Sequence, residues 1–344
     1  MVQFVGVPQM RRWVSTVGAE SIIGSLVATV QEDLQHWRRF DKTARIASHS
    51  PVGVIELMPT SDGAQYAFKY VNGHPSNPAR GLQTVTAFGV LADVASGYPL
   101  LVSEMTILTA LRTAATSGVA ARALARPDSQ TLALIGAGSQ AEFQALGMRA
   151  ALGIDTIAVW DTDPAAIEKF VRNMHGSGLR VRVATSAADA VAGADVVTTC
   201  TADKTNATVL TADMIEPGMH LNAIGGDCPG KTELDAAILH RADLVAVEFE
   251  EQTRIEGEIQ QMPADFPVTA LWDVLNGEAP GRADTRDVTV FDSVGFAMED
   301  FSALKFVRAA VTGTDFVEEI DIVAEATDPK DLFSLVGADA RVAL

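Results

Sequence analysis

The first third of the chain changes from a helical to a strand-like pattern of apolar residues. Up to about residue 40, apolar side chains recur at spacings of three and four, as at Ile23, Leu26 and Val30, which predicts helices. Between residues 44 and 104, short apolar runs are separated by turn sequences such as Asn72-Gly73, which predicts an antiparallel meander. We expect its strands at residues 53–58, 66–71, 84–91 and 99–104.

An alanine-rich helix is predicted from about residue 109 to 125, and after it short apolar strands alternate with helices. The alanine-rich helix should end before Arg126-Pro127, because the residue before a proline avoids helical geometry. Alternation of this kind is typical of a parallel sheet that is covered on both faces. Strands are predicted at 131–135, 156–160, 180–184, 195–200, 220–224, 243–248 and 288–291, and helices at 140–152, 164–174 and 299–310.

A chain of 344 residues is long enough for two domains, and the two patterns divide it accordingly. We predict an α/β fold in which residues 113–314 form a Rossmann-type, doubly wound parallel sheet domain. Residues 1–112 are expected to form an α+β domain with antiparallel strands. The acidic tail of about 315–344 follows; it contains the apolar residues of 320–323 and is expected to return to the first domain.

Composition and charge narrow the class of protein. The chain is 48% hydrophobic with a net charge of −18, which is typical of a soluble globular protein and argues against binding nucleic acid or an anionic membrane surface. Residues 85–102 are the most apolar stretch, but Asp93 and Pro99 interrupt them, which favours strands over a membrane span. No apolar run follows Arg11 and Arg12, and there are only two cysteines, so we expect no export signal, no disulfide framework and a cytoplasmic location.

A glycine-rich turn follows the predicted strand at residues 131–135. The pattern G-x-G-x-x-G/A in this strand-to-helix context is typical of dinucleotide binding, because the first glycine allows a tight turn and the second lets the backbone approach a pyrophosphate. The helix that begins here directs unpaired N–H groups and a partial positive charge toward the phosphates. The residues of this turn are Gly136, Ala137, Gly138, Ser139, Gln140 and Ala141.

Asp161 closes the next predicted strand, where the dinucleotide pattern expects an acid that binds the ribose. A carboxylate accepts hydrogen bonds from ribose hydroxyls but repels a 2′-phosphate, and the following Thr162 and Asp163 provide no arginine to reverse that preference. The sequence therefore favours NAD over NADP. A simple glycine turn with a helix-capping aspartate is the alternative interpretation.

Charged residues occur in the first domain where core residues are expected. Alternation along residues 53–58 places Glu56 and Met58 on the face opposite Ile55 and Leu57. Lys69 lies between two aromatic residues and projects from the other face. A single charge of this kind is ordinarily an exposed residue that protects a strand edge.

Arg45 and Arg112 add two more charges in apolar or alanine-rich surroundings. Burying any one of these charges unpaired would cost several kcal/mol. Taken together, Arg45, Lys69 and Arg112 could hold one substrate carboxylate, which would leave Glu56 for a substrate ammonium. Both interpretations, exposed edge charges and a shared site, remain open at this point.

A second polar cluster, at residues 225–231, follows the strand predicted at 220–224. Ligands of doubly wound sheets bind at this carboxyl edge, and the two glycines before Asp227 free the backbone to direct a carboxylate into the cleft. A plain Gly-Asp turn is the alternative. The acidic run at 248–258 lacks the ligand spacing of a metal site and is expected to be a solvated or interface segment.

Seven stretches of this chain resemble the ornithine cyclodeaminase/mu-crystallin family. The likeness extends over nearly the whole chain and departs at the two ends. The strand with Glu56 and Met58 and the loop with Asp227 are more particular to the cyclodeaminases. The stretches are residues 44–50, 53–59, 66–75, 110–117, 225–234, 252–259 and 291–296.

The resemblance implies a redox-neutral, NAD-dependent ammonia-lyase. The expected reaction converts L-ornithine into L-proline and ammonia through an imine and Δ1-pyrroline-2-carboxylate. The family resemblance also implies a homodimer joined through the strand-rich domain, which would bind the substrate as well. No metal is expected.

The resemblance also implies roles for individual residues. Arg45, Lys69 and Arg112 would bind the α-carboxylate, and Asp227 would face the α-amino group and transfer protons. Glu56, with Met58 beside it, would receive the distal amino group. Residues expected to border the cofactor, besides the glycine turn and Asp161, are Thr84, Thr113, Lys231 and Ser293.

Three other functions stay open from the sequence. A lysine cyclodeaminase, which forms L-pipecolate, differs by one substrate methylene, worth about 1–3 kcal/mol in an apolar pocket. An NAD(P)H-dependent cyclic imine reductase or amino-acid dehydrogenase would have no use for Glu56 as a receiver of a distal amine. A binding protein similar to mu-crystallin would keep the fold and cofactor without catalysis.

Overall fold

The computed structural model describes residues 1–202 and 207–337, and its strands form two sheets. The strands of the first sheet are β1 (Val2–Val5), β2 (Ile46–Ser50), β3 (Gly53–Ser61), β4 (Gln65–Gly73), β5 (Ala87–Asp93), β6 (Pro99–Glu104) and β15 (Glu318–Ile320). They lie in the order β15-β1-β6-β5-β4-β3-β2. The predicted antiparallel meander is confirmed, because β2 to β6 pair antiparallel with their neighbours along the chain.

One edge of this sheet, formed by β15 and β1, differs from the sequence-based expectation. The helical pattern was expected to begin at the first residue, but residues 2–5 form β1, which pairs parallel with β6. The tail forms a strand at Glu318–Ile320, which was not predicted and which pairs antiparallel with β1, with Val2 opposite Ile320. Three residues are too few for period-2 alternation to locate a strand precisely in sequence. Residues 338–344 of the predicted tail lie outside the described residues.

The second sheet is parallel throughout, as predicted. Its strands are β7 (Thr131–Ile135), β8 (Thr156–Trp160), β9 (Arg180–Val183), β10 (Val196–Thr199), β11 (His220–Ala223), β12 (Leu244–Val247), β13 (Thr269–Ala270) and β14 (Thr289–Asp292). They lie in the order β13-β12-β14-β11-β10-β7-β8-β9. From β7 the chain moves outward to β8 and β9, and from β10 it moves the other way to β11, β12 and β13 before β14 returns to lie between β11 and β12. The strand order therefore reverses between β7 and β10. Ligands of doubly wound sheets bind at this switch point.

The helices cover the sheets and connect them. They are α1 (Val7–Val17), α2 (Ala19–Gln35), α3 (Thr106–Leu124), α4 (Ala141–Leu152), α5 (Pro164–Met174), α6 (Ala187–Val191), α7 (Ala236–Arg241), α8 (Glu250–Glu256), α9 (Leu271–Leu275) and α10 (Ala297–Val311). Helix α3 ends two residues before Arg126-Pro127, as the proline predicted. The expected domain boundary at residues 112 and 113 lies inside this continuous helix, and the division into two domains stays a prediction.

Small residues let α3 pack closely against its neighbours. A Cβ on Gly147 of α4 would lie 2.8 Å from the backbone oxygen of Ala114. A Cβ on Gly118 would lie 3.1 Å from atoms of both Ala151 and Val27. Because no larger residue fits, α3 is held between α2 and α4, and this fixes the side chains that α3 carries toward the first sheet.

The core of the first sheet continues into helices α2, α3 and α10, whose apolar residues form one buried cluster with its inner face. Among the described residues, no single helix is long and apolar enough to span a membrane. Helices α1 and α2 would reach that length and hydropathy as a pair, but they are bent by 97°. Ile23 and Leu26 of α2 are completely buried in the core.

Candidate active site

The glycine turn lies at the switch point of the second sheet. Gly136 follows β7 directly with a φ of 104°, a conformation that favours glycine. A Cβ there would lie 2.9 Å from the carbonyl carbon and oxygen of Cys200, at the end of β10. Gly138 has no atom within 4 Å of where a Cβ would stand, and it is exposed together with Ser139. The turn therefore packs tightly against β10 on one side and leaves open space on the other.

The start of α4 has features of a ligand-binding helix terminus. Gln140 is the residue before the helix, and its Oε1 atom is buried with no hydrogen-bond partner among the described residues. Helix α4 has twelve residues; the N–H of Ala141 donates to the backbone oxygen of Gly138 at 3.3 Å, and the other N–H groups of the first helical turn lack intrahelical partners. The open space and the N–H groups of the helix terminus fit the pyrophosphate of a dinucleotide. The unpaired oxygen of Gln140 fits a hydroxyl group of the same ligand, from which it would accept a hydrogen bond.

Asp161 is held in place by the backbone on both sides of the turn. Its Oδ2 accepts a hydrogen bond from the N–H of Ala137 at 2.6 Å, and its Oδ1 accepts one from the N–H of Asp163 at 2.9 Å. Oδ2 keeps a second lone pair for another donor, while the hydroxyl of Thr162 lies 3.5 Å from Oδ1. Thr162 is exposed beside it. Asp161 is thus oriented beside the glycine turn, as a ribose-binding carboxylate must be.

Lys169 is a residue of this region that the sequence analysis did not single out. From α5 its Nζ donates to the backbone oxygen of Gly138 at 2.9 Å and pairs with Glu142 of α4 at 2.8 Å. The contact fixes α5 against the glycine turn. The sequence gives no signal for it, because a lysine on an amphipathic helix ordinarily faces solvent.

In the first sheet, the charged residues lie on the inner face and several large apolar residues on the outer face. Glu56, Met58 and Lys69 are buried, and Met58 and Lys69 are paired across β3 and β4. Ile55 and Leu57 are about 40% exposed. The predicted alternation is confirmed, and the interpretation of Lys69 and Glu56 as exposed edge charges is wrong.

Lys69 and Arg112 share one carboxylate beneath the sheet. Lys69 Nζ lies 2.8 Å from Oδ2 of Asp300, and Arg112 Nε donates to Oδ1 of the same residue at 2.9 Å. Arg112 also pairs with Glu299. Burial lowers the pKa of Lys69 to about 8; Asp300 opposes this shift, and the positive charges of Arg112 and Arg45 add to it.

Glu299 and Asp300 are the carboxylates that pair with Lys69 and Arg112, and the sequence pattern did not single them out. They occupy the first turn of α10, where acidic residues ordinarily complement the helix dipole and face solvent. Both are buried here. The signal available in the sequence was indirect: if Lys69 and Arg112 are buried, two carboxylates must come from elsewhere in the chain to compensate them.

Arg45 joins the first sheet to the loop that follows β14. Its Nη1 lies 3.3 Å from Oε2 of Glu56, and its Nε lies 3.1 Å from Oε2 of Glu256 at the end of α8. Its Nη2 donates to the backbone oxygens of Val294 and Gly295 at 3.1 and 2.9 Å.

Gly295 brings Arg112 to the same loop. The glycine has a φ of 73°, and a Cβ there would lie 2.9 Å from Nη1 of Arg112. The loop therefore accepts hydrogen bonds from Arg45 and also packs against Arg112 at Gly295. The structure thus brings together the two arginines that the sequence predicted for the site. In the same loop Ser293 hydrogen-bonds to the buried Glu248. Ser293 thus lies beside the charged cluster.

Asp227 lies in the loop after β11, and Lys231 pairs with it. The Lys231 Nζ is 3.3 Å from Oδ1 of Asp227 and donates to the backbone oxygen of Thr201 at 3.2 Å. Lys231 is buried, whereas the Asp227 side chain is 59% exposed. Thr201 follows Cys200, which packs on Gly136, so the Asp227 loop and the glycine turn meet at the switch point.

Buried carboxylates lie behind the two glycines that precede Asp227. A Cβ on Gly225 would overlap the carboxylate of Glu233, and one on Gly226 would lie 2.8 Å from Oε1 of Glu258. Glu258 accepts hydrogen bonds from the N–H groups of Glu233 and Leu234 at 2.7 and 3.0 Å. The double glycine is therefore required by packing as well as by loop conformation.

The acidic run at 248–258 is only partly solvated, which corrects the sequence-based expectation. Glu250 and Glu251 are exposed, but Glu248, Glu256 and Glu258 are buried. Burial raises the pKa of Glu258 to about 8 and that of Glu256 to about 7. Among the described residues, no group of three or more His, Cys, Asp or Glu side chains could hold a metal ion.

The remaining predicted residues are more scattered. Thr113 follows Arg112 on α3 and is half-buried. Thr84 lies in the connection between β4 and β5, where its backbone oxygen accepts a hydrogen bond from His74 at 2.8 Å. The structure thus brings together Arg45, Glu56, Lys69 and Arg112 on one side and the glycine turn, Asp227 and Lys231 on the other, while no contact links Thr84 to either group among the described residues.

Comparison with known proteins gives a consistent result. The sequence model of the ornithine cyclodeaminase/mu-crystallin family matches residues 7–315. An ornithine cyclodeaminase of Brucella melitensis is 56% identical over 336 residues, which cover 98% of this chain and 93% of that protein.

Two solved structures have the same fold over nearly their whole length. One is a lysine cyclodeaminase studied for its recognition of L-lysine, L-ornithine and L-2,4-diaminobutyric acid, with a TM-score of 0.86, 34% identity, and coverage of 96% of this chain and 99% of that one. The other is an archaeal alanine dehydrogenase dimer with bound NAD, with a TM-score of 0.84, 30% identity, and coverage of 94% and 99%. The chain belongs to the ornithine cyclodeaminase/mu-crystallin family.

Proposed function

We propose that this protein is an NAD-dependent ornithine cyclodeaminase that converts L-ornithine into L-proline and ammonia. The observation that carries the proposal is a buried cluster of opposite charges on the inner face of the first sheet, in a chain 56% identical to an ornithine cyclodeaminase. An alanine dehydrogenase or imine reductase has no distal amine to bind. Glu56 therefore favours a diamine substrate.

NAD is the cofactor that the second sheet fits. Gly136 and Gly138 would admit the pyrophosphate at the start of α4, and Asp161 would accept hydrogen bonds from the ribose. No arginine follows Asp161 to receive a 2′-phosphate. When bound, NAD⁺ supplies an acceptor for the hydride of the substrate Cα and returns it later in the same turnover.

The charge of the cluster matches that of the proposed substrate. Arg45, Lys69 and Arg112 contact four carboxylates, those of Glu56, Glu256, Glu299 and Asp300. Three cations against four carboxylates leave one formal negative charge. L-ornithine at neutral pH carries two ammonium groups and one carboxylate, a net charge of about +1. A diamino acid would therefore neutralise the buried site, whereas alanine or proline, which carry no net charge, would not.

Within the site, we assign the α-carboxylate of the substrate to Arg45, Lys69 and Arg112, as the family resemblance implies. Lys69 is protonated at neutral pH, because its pKa, although lowered by burial, is about 8. Arg112 is fixed by Glu299 and Asp300, so its guanidinium would meet the carboxylate without reorganising.

Asp227 accepts the proton that the α-ammonium must lose before Cα can give up a hydride. Its exposed side chain at the switch point would place this base between the cofactor and the substrate. Lys231 supports it by pairing with the carboxylate and bonding to the backbone of Thr201. Glu56, with Met58 beside it, receives the distal amine and directs it toward the imine carbon. Holding both reacting groups in one bound molecule favours ring closure.

A homodimer is part of the proposal. The outer face of the first sheet exposes Ile55, Leu57, Tyr66 and Phe88, each at 40% or more, across three adjacent strands. Apolar patches of this kind mark interaction surfaces. A second copy of this chain would cover the face and would support the strands that carry Glu56 and Lys69.

Product analysis tests the proposed function. Incubation with L-ornithine and NAD⁺ at about one hundredth of the substrate concentration should yield proline and ammonia in equal amounts, with no lasting rise in absorbance at the NADH band. L-lysine, and pyrroline-2-carboxylate with NADH, serve as parallel substrates. Formation of NADH in proportion to the L-ornithine consumed would refute the proposal. So would an enzyme that reduces pyrroline-2-carboxylate with NADH but does not convert L-ornithine. Asp227→Ala should abolish turnover while NAD⁺ binding is largely kept.

A further inference from the structure

Glu256 is a buried carboxylate that takes no part in the proton transfer and amine binding assigned to Asp227 and Glu56. It is the last residue of α8, and its side chain is nine-tenths buried. Its Oε2 lies 3.1 Å from Nε of Arg45, yet neither atom has a hydrogen-bond partner of good geometry among the described residues. An ionised oxygen in this position has lone pairs available and no access to water.

Glu256 shares Arg45 with a second carboxylate. Glu56 lies on Nη1 of the same guanidinium, at 3.3 and 3.4 Å, while Nη2 is occupied by the backbone oxygens after β14. One positive charge therefore serves two buried carboxylates. Burial raises the pKa of Glu256 to about 7; the Arg45 charge opposes this shift, and the negative charges of Glu56 and Asp227 reinforce it. Among the described residues, these three groups are the charged neighbours that act on Glu256, and they come from the segment before β2, from β3 and from the loop after β11.

The proposed reaction needs two proton acceptors. L-ornithine enters with both nitrogens as ammonium groups, and each must lose one proton: the α-nitrogen before the hydride leaves, and the distal nitrogen before it can attack. Both protons return after ring closure, one to the departing ammonia and one to the ring nitrogen of proline. Asp227 can serve only one of the two nitrogens at a time, so a second carboxylate must alternate between its charged and neutral forms.

We propose that Glu256 is this second proton acceptor, and that the distal ammonium of the diamine binds between Glu56 and Glu256. The inference rests on the proposed function and deepens it. Glu56 has both oxygens near Arg45 and orients the ammonium, whereas Glu256 has an unpaired oxygen to take its proton. Without substrate, the excess negative charge of the pair is relieved by a proton on Glu256. On binding, the ammonium replaces that proton.

The proton transfer is balanced within the site. An N–H bond of the distal ammonium breaks, its electron pair stays on nitrogen, and the proton passes to the Glu256 carboxylate. The free amine then forms a bond to the imine carbon, a proton passes from the ring nitrogen to the α-nitrogen, and the C–N bond to the α-nitrogen breaks so that it leaves as ammonia and the ring C=N bond forms. Glu256 gives its proton back as ammonia departs and is then ionised, as it was with the ammonium bound. When the product leaves, Glu256 takes up again the proton that it released on substrate binding, so no external acid or base is consumed over a full turnover.

Glu256→Gln tests the proposal, and Glu250→Gln on the same helix is its matched control. Glu250 is exposed, and within the described part of the chain it pairs only with Arg254, four residues later. Glu256→Gln keeps a group that can lie against Arg45 but cannot exchange a proton. We expect kcat for L-ornithine to fall about 100-fold or more. The limb of the kcat/KM profile near pH 7 should disappear, while Glu250→Gln behaves as the unmodified enzyme.

Proton release on binding is a readout that a structural role would not change. L-ornithine is titrated calorimetrically into enzyme saturated with NADH, which cannot accept a hydride, in two buffers of different ionisation enthalpy at pH 7. The unmodified enzyme should release about half a proton per site, and Glu256→Gln none. Equal proton release in both, or an unchanged pH profile of the variant, would overturn the proposal.

Two further outcomes keep the result interpretable. If the unmodified enzyme neither binds nor converts L-ornithine, the proposed function fails, independently of Glu256. If Glu256→Gln does not fold, as judged by its melting temperature, Glu256→Asp takes its place. The shorter carboxylate should restore part of the activity together with the pH limb, and an Asp variant as active as the unmodified enzyme with no shift in that limb would contradict the role.

Discussion

Lys69 of β4 and Asp300 of α10 form an ion pair with 2.8 Å between Nζ and Oδ2, and both side chains are almost completely buried. Arg112 of α3 donates to the same carboxylate. One aspartate therefore ties the inner face of the first sheet to two helices. The groups that would bind the substrate are thus held by the fold itself, which explains how three cations can be kept close together in the interior.

Asp300→Asn should destabilise the protein strongly, because it removes the carboxylate that Lys69 and Arg112 share and leaves buried positive charge uncompensated. Removing one partner of a buried pair costs about 3–5 kcal/mol of the free energy of unfolding. Urea denaturation measures the loss, with Asp321→Asn in the exposed tail as a control of the same chemistry. A change below about 1 kcal/mol would mean that Asp300 is not the common counter-charge.

The buried carboxyl group of Asp292 should make the free energy of unfolding depend on pH. Burial raises its pKa to about 7, although it accepts hydrogen bonds from the N–H groups of Glu258 and Ile259, whereas an aspartate in the unfolded chain has a pKa of about 3.9. Between these values the folded state holds a proton that the unfolded state has lost, so the contribution of Asp292 to stability falls as pH rises and is constant above about 7.

The measurement for Asp292 is the difference in unfolding free energy between the unmodified protein and Asp292→Asn. One pH unit corresponds to about 1.4 kcal/mol per group. As the pH rises from 5 to 7, the unmodified protein should therefore lose about 2.5 kcal/mol of unfolding free energy relative to Asp292→Asn. Comparing the two proteins cancels the titration of groups far from Asp292; the neighbouring Glu258, whose pKa the Asp292 charge raises, has a pKa of about 8, above this range. A constant difference, or a shift of opposite sign, would show that Asp292 is ionised in the folded protein.

Asp161→Ser should weaken NAD⁺ binding about tenfold, because one good hydrogen-bonding partner of the ribose is lost. Combined with Thr162→Arg, it should favour NADP⁺, whose 2′-phosphate then meets an arginine instead of a carboxylate. Asp163→Ser is the matched control, since serine also caps α5 and that carboxylate bonds only to the backbone of Ala165 within the described residues. Unchanged NAD⁺ affinity of Asp161→Ser in a fluorescence titration would remove Asp161 from the ribose site.

Phe88→Asp should convert the proposed dimer into monomers. Phe88 is 44% exposed and stacks on Tyr70 with ring centroids 5.1 Å apart, at the middle of the outer face of the first sheet. A buried charge at the centre of an interface is strongly unfavourable. Light scattering after size-exclusion chromatography gives the mass. Val171→Asp, at an exposed apolar position of α5, should remain dimeric, and a dimer of Phe88→Asp would exclude this face.

The sequence pattern was most informative where chemistry and periodicity coincide. The turn at Gly136 and Gly138 and the aspartate at 161 each occupy a position that one strand-to-helix unit defines, so local sequence was enough to predict them. Alternation in β3 and β4 likewise predicted that Glu56 and Lys69 lie on the face opposite their neighbours along the strand, although it left open whether that face is buried. These inferences needed only neighbours along the chain.

What could not be predicted is the compensation of buried charge by distant residues. Asp300 lies 231 positions from Lys69, and Glu256 is about 200 positions from Arg45 and Glu56. No local pattern distinguishes these carboxylates from the solvated Glu250 and Glu251, because burial depends on which elements pack together. The sequence therefore predicted the cations of the site and missed most of the anions that hold them.

The central claim is that the hydride leaves the substrate and returns to it within one turnover. L-ornithine with deuterium at Cα is incubated with the enzyme, NAD⁺ and an excess of unlabelled NADH, and the proline formed is examined by mass spectrometry and NMR. Since the same carbon gives up and regains the hydride, the account predicts that proline retains the deuterium at its α-carbon. Unlabelled proline, with the deuterium in the free nicotinamide pool, would contradict it.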